Sequence, residues 1–159
     1  SDEIWAKSPN ANIRHSQRYF RHEMASALIL LQNRDLFEGL DEESFQLIVY
    51  LIACHHGKVR VSMKSMPKEI EKAEVEGIRV SRGIKEGSKV GPIYLGNLSI
   101  SETLLNLEPI ELGSTDNYNW LDLSLGLLEE YGPFVLAYLE ALLRVADVKA
   151  SKKEGRVDV

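Results

Sequence analysis

From about Ser16 to Gln32 the apolar residues Phe20, Met24, Ala27, Leu28 and Leu31 recur at intervals of three and four. That is the period of an amphipathic helix, and it predicts one over this stretch. Gly39 closes the connection that follows, Asp41 suits a helix N-cap, and Phe45 to Cys54 is apolar on nearly every side. A helix of that kind belongs in the middle of a bundle. It ends in His55-His56-Gly57, with the glycine where a left-handed C-cap is expected.

The pattern then changes. Val59 to Met63 alternates weakly, Pro67 suits the start of a short charged helix to about Glu76, and Ile78 to Arg82 alternates again before a glycine-rich loop. This predicts a peripheral insertion over about 58–116, holding a short β-hairpin or irregular loops; 92–95 and 100–111 are ambiguous between strand and loop. Helical period returns from Trp120 to Glu130 through Leu121, Leu125 and Leu128. Gly132-Pro133 then predicts a new helix from Pro133 to about Ser151, followed by a tail, 152–159, with little to bury. The fold class is all-α: one helical domain over 1–151 with an insertion.

Composition narrows this picture. With 159 residues, 44% hydrophobic and 27% charged, the chain has the make-up of one globular domain. No run approaches the roughly 18 apolar residues of a membrane span, and the opening residues do not resemble a signal peptide, so we expect a cytoplasmic protein without a membrane partner. The chain starts without methionine and reads as the interior of something longer. Its single cysteine, Cys54, excludes an internal disulfide framework and, inside an apolar run, is expected to be a small buried hydrophobe. The net charge of −5 argues against a surface that grips nucleic acid throughout, yet residues 58–91 hold nine Lys/Arg against five Asp/Glu and form a locally basic stretch.

The four histidines, at 15, 22, 55 and 56, are the feature most in need of explanation. His22 lies among Phe20, Met24, Ala25 and Ala27, where an imidazole needs a partner, and Ser26 shares its face one turn on. His55 and His56 stand at a helix terminus, where both rings can turn toward one centre. Neutral imidazole is the commonest ligand of divalent transition metals. The competing reading is capping, since a histidine at a helix C-terminus interacts favourably with the dipole. Asp147 interrupts the apolar run from Leu142 to Ala146 at the edge of its stripe; an ion pair with Arg144 three residues earlier is the simpler role for it. His15 reads as a surface residue.

Three blocks, Arg21-His22-Glu23-Met24-Ala25-Ser26, His55-His56-Gly57-Lys58-Val59-Arg60 and Arg144-Val145-Ala146-Asp147-Val148-Lys149-Ala150-Ser151, together resemble the HD nuclease domain of the CRISPR interference helicase-nuclease. The variant in which that domain ends the chain is the nearest form. The resemblance spans residues 5 to 151 and implies an all-helical domain that holds one or two divalent ions and hydrolyses single-stranded DNA. It implies a helicase domain and the CRISPR interference complex as partners. His22, His55 and His56 match later histidine ligands around one metal position, and Asp147 matches a carboxylate that belongs to the other and acts in catalysis. Ser26, Lys58 and Arg60 match flanking positions; Ser26 and Arg60 are expected at the substrate, and Lys58 in catalysis. The family's namesake His-Asp pair is absent from the sequence, so the chain is similar to the later part of the domain.

Histidine and carboxylate ligands suit Mn, Fe, Co, Ni or Zn as the cofactor. Lys58, Arg60, Lys64 and Lys68, then Arg79, Arg82, Lys85 and Lys89, are expected either to guide a phosphate backbone or to form a solvated loop. Two other functions fit the same residues: a non-catalytic helical interaction module or degenerate HD fold, and an HD-type nucleotide phosphohydrolase.

Overall fold

The computed structural model describes residues 21–57, 77, 79–81, 83–111 and 119–154, without the side chains of 95, 153 and 154. It is mostly helical, with a small antiparallel β region inserted between the second and third helices. Helix α1 (His22–Gln32) runs into a 3-10 turn, Arg34–Phe37, and then into α2 (Glu42–Cys54). The short connection folds the pair back on itself, so the start of α1 meets the end of α2.

Arg34 holds this connection: its guanidinium donates to the carbonyls of Phe37 at 2.7 Å and Leu40 at 2.9 Å and lies 4.5 Å from the Phe45 ring centroid. Asp41 caps α2 as expected, accepting from the Ser44 backbone N–H at 2.8 Å. At the other end His55 is the C-cap and Gly57 takes a φ of 68°, the left-handed conformation that favours glycine.

Helix α3 (Trp120–Glu154) is broken at Gly132, whose φ of 70° and ψ of 163° are not helical. Pro133 restarts it at no cost, because a first-turn N–H has no helical partner to lose. The two predicted helices are therefore present as two segments, the second running to Glu154 rather than Ser151. Helix α1 begins at His22, with Arg21 extended as its N-cap, and residues 16–20 of the predicted helix lie outside the described residues. The weak alternation over 59–63, the helix expected over 67–76, His15 and the end of the tail lie outside the described residues.

One core joins the three helices: Ala27 and Leu31 from α1, Phe45, Val49, Ala53 and Cys54 from α2, and Trp120, Leu123, Leu127 and Leu136 from α3. Cys54 is buried, as expected of a small hydrophobe. The opposite face of α1, with Met24, Ala25, Leu28 and Ile29, forms a second core with Ile84, Ile100, Leu105 and Leu107 of the insertion.

Among the described residues the insertion holds three two-stranded antiparallel ladders. These are β1 (Val80–Ser81) with β2 (Ile84–Lys85), β3 (Lys89–Val90) with β6 (Thr103–Leu104), and β4 (Ile93–Leu95) with β5 (Leu98–Ile100). So short a ladder is stable only when docked on something else. Here α1 is that support: the Gln32 side chain donates to the Leu104 carbonyl at 2.8 Å and accepts from the Asn106 N–H at 3.1 Å. The segment expected to be peripheral thus supplies half of a core.

Candidate metal centre

Each histidine is placed by a helix end. His22 is the first residue of α1, and His55 and His56 directly follow α2. The fold-back of these two helices brings residues 34 apart in sequence together: His22 Nε2 and His56 Nε2 are 3.3 Å apart. The His55 and His56 rings lie 4.0 Å apart between centroids, and one nitrogen from each of the three histidines falls within 4.8 Å of the others.

These separations suit a shared cation. Two nitrogens bound at about 2.0–2.1 Å to one tetrahedral ion stand roughly 3.3 Å apart. The ring orientation of His55 is set independently, because its Nδ1 lies 2.8 Å from the Ile52 carbonyl. A carbonyl only accepts, so Nδ1 carries the proton and Nε2 is left bare. Such a bond from the non-ligating nitrogen is a regular feature of metal-bound histidine.

The electrostatics favour a neutral ligand at this place. Burial, then the neighbouring His55, push the pKa of His56 down, with His22 adding to the effect, while the charges of Glu23 and Asp147 oppose it. The cluster also lies at the C-terminal end of α2, where the helix dipole favours positive charge. His22, 67% exposed in its side chain, opens the cluster to solvent.

Asp147 is half-buried on the inward side of α3, on the face that carries buried Leu136 and Glu140, and its charge acts on His56. Among the described residues it makes no ion pair with Arg144, which is exposed, and it is not one of the three residues that converge within 4.8 Å. Ser26 is exposed one turn after His22. Lys58 and Arg60 lie outside the described residues. In the basic stretch, Arg79 contacts Glu111 at 2.6 Å and Glu86 at 3.4 Å, and Lys89 contacts Glu102 at 2.9 Å, so these two cations are held by carboxylates of the same chain.

Sequence reasoning passed over Glu23. Its side chain is 1% exposed, and among the described residues neither carboxylate oxygen has a hydrogen-bond partner. The signal was available, because Glu23 stands four residues before Ala27 and eight before Leu31, on a helix face that had to be buried. Glu140 was passed over too; it is buried and accepts from the Tyr50 hydroxyl at 2.8 Å. No family model, no curated protein and no solved structure matches the chain.

Proposed function

We propose that His22, His55 and His56 form one half of a divalent transition-metal centre in a hydrolase that cleaves the phosphodiesters of single-stranded DNA. The setting, with a helicase domain and the CRISPR interference complex as partners, comes from the resemblance of the three sequence blocks to the HD nuclease domain. One observation carries the reading: three imidazoles from two helix ends converge within 4.8 Å. Capping alone gives no reason for His22, at the start of a different helix, to face the other two.

A divalent ion held there would supply Lewis acidity toward a phosphoryl oxygen and a water-derived nucleophile at neutral pH. The chain's own residues prepare the place. Burial biases His56 toward the neutral form, the Ile52 carbonyl fixes His55, and Asp147, whose charge acts on His56, is the carboxylate assigned to the second position. With Arg79 and Lys89 internally paired, a DNA track would rest on other cations of the stretch, such as Lys58, Arg60, Lys64, Lys68 and Arg82. The same pairing favours a second reading, a phosphohydrolase of free nucleotides, which needs no extended track.

Metal content after dialysis against Mn or Zn, measured by mass spectrometry beside a His55→Ala/His56→Ala variant, tests the centre. About one tight ion per chain, lost in the variant, is the expected result. No ion above the variant overturns it. Cleavage of a single-stranded oligodeoxynucleotide against hydrolysis of a nucleotide then separates the two substrates.

A further inference from the structure

Glu23 lies next to the histidine cluster and is buried without a hydrogen bond, the most costly arrangement for a carboxylate. Its polar neighbours are the His22 ring, with Nδ1 at 3.4 Å from Oε2, and the Arg21 guanidinium, with Nη1 at 3.8 Å from Oε1. The His22 ring therefore spans the gap between Glu23 and the cluster: Nδ1 faces the carboxylate, and Nε2 faces His56 at 3.3 Å. Two separate anomalies, a buried carboxylate without a hydrogen bond and a convergence of three imidazoles, meet on one side chain.

We infer that Glu23 is a positioning residue for a divalent cation on His22, His55 and His56. Accepting the Nδ1 proton of His22 leaves Nε2 bare toward the cluster and makes it the more basic ligand. The carboxylate is then to His22 what the Ile52 carbonyl is to His55. An ordinary hydrogen bond needs a closing from 3.4 Å together with a turn of the His22 ring that aims Nδ1–H at the carboxylate. The same anion is balanced once a cation occupies the cluster, so burial that is unfavourable in the free protein becomes favourable in the loaded one. This rests on the proposed metal centre and goes beyond it by assigning the residue that sets the tautomer of His22. A carboxylate in the first turn of a helix also gains from the dipole, but that benefit does not depend on which nitrogen of His22 carries the proton.

Long-range proton–nitrogen NMR of the His22 ring, in the full chain without metal, reads the tautomer directly. The expected form has the proton on Nδ1, and a proton on Nε2 in the wild-type protein overturns the inference with no variant needed. Glu23→Gln keeps the shape and removes the charge; it is expected to shift His22 toward the other tautomer and to weaken Zn binding, measured by chelator competition, about 10- to 100-fold. Unchanged Zn affinity and an unchanged tautomer in that variant overturn the inference while leaving the metal centre standing. A wild-type chain that takes up no Zn overturns both.

Discussion

Among the described residues two glutamates are buried, Glu23 at 1% exposure in the first turn of α1 and Glu140 at 8% in the second segment of α3, and their surroundings differ. Glu140 accepts a hydrogen bond from Tyr50, whose ring is stacked on Trp120 in the three-helix core, so its polarity is satisfied within the fold. Glu23 has no such donor and faces a histidine at 3.4 Å. A buried carboxylate that the fold satisfies contributes to a unique packing; one that the fold leaves without a hydrogen bond calls for an explanation, and a cation that arrives from outside is one that the neighbouring histidines supply. The contrast separates a structural acid from one assigned to a site.

The largest effect is expected where the satisfied acid loses its donor. Tyr50→Phe leaves Glu140 buried without that bond and is expected to cost about 1.5–3 kcal/mol in urea unfolding. A cost near zero would mean that Glu140 is no better satisfied than Glu23, and the comparison would collapse.

The second effect depends on metal. Without Zn, Glu23→Gln is expected to be as stable as the wild type or more stable, because it removes an unsatisfied buried charge. With saturating Zn the order reverses: a 10- to 100-fold affinity difference gives the wild type about 1.4–2.7 kcal/mol of additional protection. Thermal melts of both proteins with and without Zn would show the crossing, and parallel shifts would deny Glu23 its part in the site.

A smaller change sharpens the other side. In Glu140→Gln the amide oxygen still accepts from Tyr50, so a loss under about 1 kcal/mol is expected in the same urea series. Zn is expected to protect this variant as it protects the wild type.

Asp41 is the exposed reference, and its effect should be the smallest. Hydrogen bonds from the Ser44 backbone and hydroxyl hold its carboxyl below the ordinary value of 3.8. A folded-state pKa below the unfolded one gives stability that is present above about pH 4 and is lost as pH falls through the folded value. Asp41→Asn keeps an N-cap acceptor but should flatten this part of the pH–stability curve, which denaturation at several pH values between 2 and 5 would measure.

Much of the fold was legible because its signals are local. The N-cap at Asp41, the glycine after His56, and Gly132-Pro133 act through backbone geometry within one turn, and all three stand where the pattern predicted. Less local features were harder to read. The periodic stripe of α1 marks one buried face, whereas the helix buries two, because the insertion covers the side that would otherwise be solvated. In α3 after Gly132, Phe134 is 89% exposed and Tyr138, Val145 and Val148 also face outward, while Glu140 and Asp147 turn inward. Apolar count along that helix points the opposite way.

The candidate site divides in the same manner. Histidine identity and the sharp end of α2 are written in the sequence, since they follow from residue chemistry and a glycine C-cap. That His22 meets His56 across 34 residues, that Asp147 makes no ion pair with Arg144 among the described residues, and that Glu23 is left without a hydrogen-bond donor were decided only by how the helices pack. Periodicity states which residues prefer burial; it does not state which polar groups will be buried with them, because that depends on partners far away in the chain.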